Sequence, residues 1–272
     1  MGEIKHRILF VNSEIFPYLP ESPMSLIGRQ LPQGIQDLRK ETRSFMPRFG
    51  CINERKNQLH EVIRLSGMNI IIGDVDRPLI IKVASIPSAR MQVYFIDNED
   101  YFRRKQIYCD TDGKPFEDND ERAVFYARGV LETVKKLRWA PDVIRCHGWI
   151  SHLVPAFLKK AYKDDPIFSS CKVVLSLYND GDGIRFNPTF RSKVPLGALG
   201  SQDLPFLENA DISGLAKTAI QYTDGVILGS GGIDESLVRM CRSAHVPVLD
   251  FDAKAMENGE YIGKYNAFYD SL

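Results

Sequence analysis

RILFVNSEIFPYLPESPMSLIGRQLPQGIQDLRK, residues 7–40, joins a short apolar run to a helix-period segment through a proline-rich turn. RILFV is apolar throughout after Arg7, as a strand buried on both faces would be. MSLIGRQLPQGIQDLRK then carries its apolar residues at helical spacing. The unit recurs. DVIRC (142–146) precedes SHLVPAFLKKAY, GVILG (225–229) precedes IDESLVRMCRSA, and KVVLSLY (172–178) precedes a polar turn. Strands alternating with helices predict an α/β fold: a Rossmann-like, mainly parallel sheet with helices on both faces.

Between residues 60 and 96 the runs EVIRL, NIIIG, LIIKVASI and MQVYFI follow closely, with no helix pattern between most of them. That predicts an antiparallel excursion or edge hairpins. DNDERAVFYARGVLETVKKLR, residues 118–138, is the clearest helix. Ala123, Val124, Ala127, Val130, Leu131, Val134 and Leu137 share one face, with acids at its start and bases at its end. Residues 179–210, rich in Gly, Pro, Asn and Ser, read as a long ordered loop. Residues 1–250 are expected to form a single α/β domain. Residues 251–272 are expected to be a tail packed on it through Tyr261, Tyr265, Phe268 and Tyr269.

Composition narrows the function classes. Of 272 residues, 35 are Lys or Arg and 35 Asp or Glu, so balanced charge argues against nucleic acid or an anionic membrane as partner. No apolar run reaches transmembrane length, and the N-terminus does not read as a signal peptide. The five cysteines are widely spaced, without a C-x-x-C pair, which argues against a disulfide framework and suits a cytoplasmic protein. No metal or cofactor is expected.

Four turns are candidates for a site. In residues 13–32, position favours a ligand, because parallel sheets bind beyond their strand ends. The residues do not favour phosphate: Pro20 and Pro23 have no N–H, and Ser22-Pro23 reads equally well as an N-cap followed by proline at the first helical position. In RCHGWISHL (145–153), His147 and His152 are five apart, the wrong spacing for two metal ligands on one helix face. Trp149 is either a core residue or a platform for a sugar. In SLYNDGDGIRF (176–186), Asp180 and Asp182 lack the spacing of a calcium loop, and a solvated turn is expected. In LGSGGIDES (228–236), the turn Gly229, Ser230, Gly231, Gly232 either presents amides to an anion or is a tight connection. It matches neither a P-loop nor G-x-S-x-G.

Taken in order, ILFVNSEIFPYL, SFMPRFG, VYFIDNEDYF, DNDERAVFYARGVLE, WAPDVIRCHGW, the LSLYN strand end and DISGLAKTAIQYTDGVILGS resemble the N-terminal half of bacterial glycogen and starch synthases. Those are ADP-glucose-dependent glucosyltransferases of the two-domain GT-B fold. The resemblance implies one half of a GT-B enzyme, with an α-glucan and ADP-glucose as ligands. The family's Lys-x-Gly-Gly-Leu loop, which holds the nucleotide-sugar diphosphate, corresponds here to Pro20, Glu21, Ser22, Pro23 and Met24. The acidic residue two positions further corresponds to Leu26. The family's H-D-W reads His147-Gly148-Trp149, and its T-x-H-N reads Ser176-Leu177-Tyr178-Asn179. The positions carried over intact are Glu14, Tyr108, Asn119, Arg122, His147, Trp149 and Asn179.

With Pro20, Ser22, Pro23, Leu26, Gly148 and Tyr178 replacing transfer groups, and the family's C-terminal domain outside the matched stretch, the expectation is a pseudoenzyme without stand-alone catalysis. It would bind a glucan, or act through a partner, in glycogen biosynthesis. The alternative is an active half completed by a separate chain carrying the second domain. Pro17, Tyr18, Leu19, Pro20, Met24 and Trp149 are expected to form an apolar strand-end face for a protein partner or a second copy.

Overall fold

Ile8, Leu9, Phe10 and Val11 are all fully buried, because the sheet that contains them is covered on both faces. The computed structural model describes residues 6–272. Among these, ten strands form: β1 Arg7–Asn12, β2 Glu41–Pro47, β3 His60–Glu61, β4 Met68–Ile72, β5 Val75–Ile86, β6 Met91–Asp97, β7 Val143–His147, β8 Lys172–Leu177, β9 Gly225–Leu228 and β10 Val248–Leu249. The sheet order is β10-β9-β8-β7-β1-β2-β6-β5-β3, with β4 paired to β5. From β10 to β6 every pairing is parallel.

The irregular region is antiparallel only in part. β3, β4 and β5 run antiparallel, but β6, the MQVYFI run, lies parallel to β2 and belongs to the main sheet. A short turn, Pro87–Ala89, reverses the chain after β5 and so restores the common direction. EVIRL contributes only Glu61 to a strand.

The helices are α1 Pro23–Asp37, α2 Glu99–Phe102, α3 Asn119–Leu137, α4 Val154–Ala156, α5 Phe190–Lys193, α6 Ile212–Tyr222, α7 Glu235–Ser243, α8 Ala253–Asn258 and α9 Tyr261–Asp270. Strand residues alternate between two cores. Leu9, Val11, Ile144 and Leu175 face the core shared with α3, α4, α6 and α7. Ile8, Phe10, Val143 and Val174 face the core shared with α1, α8 and α9. α3 is buried beyond its expected apolar face: Arg122 is enclosed by the rings of Phe49, Phe102 and Tyr108, Phe125 by Tyr101 and Phe102, and Tyr126 reaches the end of β1. Residues 179–210 contain α5 and two short 3-10 turns rather than loop alone.

Strand order reverses between β1 and β7. From β1 the chain continues to β2 on one side, while β7 leads to β8, β9 and β10 on the other. The crevice beyond the carboxyl ends of β1 and β7 is therefore the place where an open parallel sheet holds a ligand.

Candidate functional site at the strand ends

The crevice is built from the residues that follow β1 and β7. Asn12 and His147 are register partners, and His147 Nδ1 lies 3.1 Å from Asn12 Oδ1. The Asn12 carbonyl accepts from the Tyr126 hydroxyl at 2.7 Å. Burial, with Arg145 and His152 adding to it, holds His147 well below the ordinary imidazole range, so the ring is neutral.

Gly148 follows at φ +83°. A Cβ there would stand 2.3 Å from Ser13 Oγ and 3.0 Å from Met24 Cε. The position of the family's aspartate is thus closed as well as bare: Ser13 and Met24 occupy the space in front of it.

The first turn forms a helix start. Ser22 is the N-cap and Pro23 the first residue of α1. Ser25 N donates to Ser22 Oγ at 2.9 Å, and Ser22 N donates to Ser25 Oγ at 2.8 Å. Ser22 Oγ donates in turn to Glu14 Oε2 at 2.7 Å. The amide that a phosphate would need at Ser25 already has a partner. The neighbouring groove, about 420 Å³, is lined by Glu21 and Glu257 and by no basic residue. Pro20 and Pro23 are exposed and Leu26 is half-buried beside it.

Tyr178 lies between the crevice and α9, its ring 4.8 Å from that of His147. It is 8% exposed and packs with Tyr261, Tyr265 and Tyr269 under α9. Its hydroxyl accepts from Arg145 Nη2 at 2.8 Å, while Arg145 Nε donates to Ser176 Oγ at 3.0 Å. Arg145 is fully buried with no carboxylate paired to it among the described residues, and the ring of Tyr265 lies 5.8 Å away. Tyr178 therefore serves as a polar partner for a buried cation. Arg145 has no distinguishing mark inside the RCHGW run, and only the fold reveals its environment.

The intact positions fall into two groups, with Tyr108 half-buried between them. Asn119, Arg122, His147 and Trp149 are buried. Arg122 donates to Asn119 Oδ1 at 2.8 Å and sits among the rings of Phe49, Phe102, Tyr108 and Phe116. Burial lowers its pKa to about 10 against the pull of Asp118. Asn119 Nδ2 donates to the Tyr108 carbonyl at 2.8 Å. Trp149 is 2% exposed, packed against Tyr108 at 4.6 Å and Phe186 at 5.6 Å. Its indole face is not an open platform. Glu14 and Asn179 reach the surface, and Asn179 N donates to Ser230 Oγ at 3.0 Å.

The expected apolar face requires the same correction. Tyr18, Leu19 and Trp149 are buried and Met24 is half-buried, leaving Pro17 and Pro20 exposed. The turn after β1 folds its apolar side chains inward, and Tyr18 meets Phe95 edge-to-face at 4.9 Å.

Asp180 also departs from expectation. It is not a solvated turn residue: its Oδ2 accepts from Trp149 N at 2.9 Å. Burial pushes its carboxyl up to about 6; the Trp149 N–H opposes this and Glu14 adds to it. Burial raises the Tyr108 hydroxyl well above its ordinary range, with Glu14 and Asp180 adding to it and Arg122 opposing. Asp182 is exposed. The cavity beside it, about 290 Å³, carries Asp180, Asp182, Asp211 and Asp234 against Arg185. That charge disfavours an anion at the adjoining turn of Gly229–Gly232. The Gly229 amide already donates to the Leu177 carbonyl at 2.7 Å, and a Cβ at Gly229 would meet the Tyr178 ring at 2.5 Å. The strand ends thus hold acids and phenols where a departing diphosphate would require cations.

The Starch synthase catalytic domain family model matches residues 7–240. The chain belongs to that family. Its relatives include the glycogen synthase of Chlorobium luteolum, 36% identical over 180 residues, covering 66% of this chain and 37% of that protein. The glycogen synthase of Chlorobaculum parvum is 31% identical over 226 residues, covering 82% of this chain and 46% of that protein. The chain therefore spans less than half the length of these curated relatives. The catalytic domain of Starch Synthase IV from Arabidopsis thaliana, bound to ADP and acarbose, superposes with a TM-score of 0.69 at 15% identity, over 92% of this chain and 51% of that one. The fold is thus that of part of a GT-B starch synthase. Among the described residues, no helix is long and apolar enough to cross a membrane and no cluster of metal-ligating side chains occurs.

Proposed function

We propose that this starch-synthase-family chain acts in α-glucan metabolism as a glucan- or partner-binding protein and does not by itself transfer glucose from ADP-glucose. The observation that carries this reading is the closed crevice, where Ser13 and Met24 fill the space in front of Gly148. A transferase acting there needs room for the sugar and positive charge for the leaving diphosphate. The grooves flanking the turn after β1 and the end of β8 are instead acidic or mixed. Glu14, Asp180 and Asn179 are the groups placed to receive glucan hydroxyls at the strand ends.

The test is a transfer assay with labelled ADP-glucose and glycogen on the purified chain, paired with electrophoresis through glycogen-containing gels. We expect retardation in the gel and no incorporation above an enzyme-free blank. Incorporation by the chain alone overturns the reading, and unchanged mobility removes its glucan part. A second reading, an active half completed by another chain, rests on the match of residues 7–240 to the Starch synthase catalytic domain family. Adding the separately produced C-terminal half of the Chlorobium luteolum enzyme tests it: transfer that appears only in the mixture supports completion.

A further inference from the structure

Beside the turn after β1, a cavity of about 410 Å³ opens between Pro17 and Tyr18 of that turn, α1, the turn leading into β3 and the connection from β5 to β6. Arg29, Lys56 and His60 line it, and no Asp or Glu does. None of these three has a carboxylate within ion-pair distance among the described residues. Cations nearby behave differently: Arg48 and Lys82 share Asp97, each at 3.0 Å. Arg29 is fixed in place, with Nη2 donating to Ser88 Oγ at 2.9 Å and its guanidinium 5.5 Å over the Phe16 ring. Tyr18 points the same way. It is 7% exposed, it borders the cavity, and its hydroxyl has no hydrogen-bond partner. A buried hydroxyl left without a partner is costly unless a water or ligand receives it.

We propose that this cavity is a binding site for a small phosphorylated sugar. Arg29 and Lys56 pair with the phosphate dianion, a geometry in which a guanidinium fork is favoured. Ser85 and Ser88, both exposed in the lining, supply hydroxyls to the sugar. The cavity is several times larger than a bare phosphate requires, and its walls are hydroxyl-bearing rather than aromatic-faced. Tyr18, the one aromatic residue of the lining, is 7% exposed and engaged edge-to-face with Phe95, so it offers no stacking surface for a base. The site shares the turn after β1 with the crevice, but its cations, Arg29 and Lys56, belong to neither strand end, and it does not depend on the glucan reading.

Calorimetric titration of the full chain with ribose 5-phosphate, inorganic phosphate and ribose tests this. We expect saturable binding of ribose 5-phosphate, weaker binding of inorganic phosphate, and none of ribose. Losing one charge-assisted contact in Arg29→Gln or Lys56→Gln should weaken ribose 5-phosphate by about tenfold or more. Lys56 is exposed, so its replacement leaves the fold intact. Lys254→Gln, an exposed lysine on α8, is the charge-matched control and should bind as the parent does. Absence of binding at millimolar sugar phosphate overturns the proposal. So does equal weakening by Lys254→Gln, or inorganic phosphate binding as tightly as the sugar phosphate.

Discussion

Gly148 stands in the left-handed region with Ser13 Oγ 2.3 Å from where a Cβ would be, so any side chain there meets both backbone strain and a clash. Gly148→Ala should lower stability by about 1–3 kcal/mol, read as a lower urea midpoint at unchanged slope. Gly148→Asp should fare no better and gain no transferase activity; a stable Gly148→Asp that elongates glycogen would contradict the closed crevice. Asp180 makes a second prediction. The folded chain keeps its proton up to about pH 6, whereas the ordinary value is 3.8. Over that window the unfolded chain binds fewer protons, so stability falls as pH rises from about 4 to about 6 and levels off above. Asp180→Asn keeps an acceptor for the Trp149 N–H and should show a smaller fall in urea midpoint between those pH values. Identical pH profiles for the two proteins would rule out Asp180 as the source. Neither residue's environment is legible locally. Asp180 lies between Asn179 and Gly181, as turn residues do, and its hydrogen-bond partner is Trp149, thirty-one residues away.

The start of α1 was readable because its signal is local. Ser22 followed by Pro23 predicts a cap and a first turn, and both form. The reciprocal bond from Ser25 completes the cap, and the link from Ser22 to Glu14 anchors the turn after β1 to it. Ser22→Ala removes the cap acceptor and the donor to Glu14 together. It should cost about 1–2 kcal/mol in denaturant unfolding, whereas Ser22→Asp, which retains a cap acceptor but repels Glu14, should recover only part of that loss. A Ser22→Ala protein as stable as the parent would mean that Pro23 alone fixes the helix start. β1, β7, β8 and β9 were equally legible, since continuous apolar runs mark strands covered on both faces. The orientation of β6 was not. Its apolar run has the same texture whether it pairs parallel or antiparallel, and only the turn after β5 and the pairing with β2 decide it. α3 shows the same limit, because its period identified one apolar face but not the aromatic rings that enclose Arg122.

At the scale of the molecule, the sheet has one face covered by helices from the middle of the chain and the other by α1 with α8 and α9. That second face contains Arg145, a buried cation whose polar shell is Ser176 and Tyr178, enclosed further by tyrosines of α9. Lys40, itself nearly buried, pins the end of α9 to the edge of β2 through Asp270 at 2.5 Å. We therefore predict that residues 251–272 are required for folding rather than appended to a finished domain. Each of Tyr261, Tyr265, Phe268 and Tyr269 contributes roughly 1.5–3 kcal/mol by burial, so their sum rivals the roughly 5–15 kcal/mol that separates folded from unfolded domains. Removing them also opens Arg145 and Tyr178 to water and uncovers Phe10 and Val174. A chain ending at residue 250 should lose its cooperative urea transition and bind a hydrophobic dye that the full chain excludes. The single variant Lys40→Met, which deletes the charge pair but keeps the stem's apolar packing, should lower the midpoint without abolishing cooperativity. A truncated chain that unfolds at the same urea concentration as the full one would make the tail an accessory, and the tyrosine shell around Arg145 would then have to be replaceable by solvent.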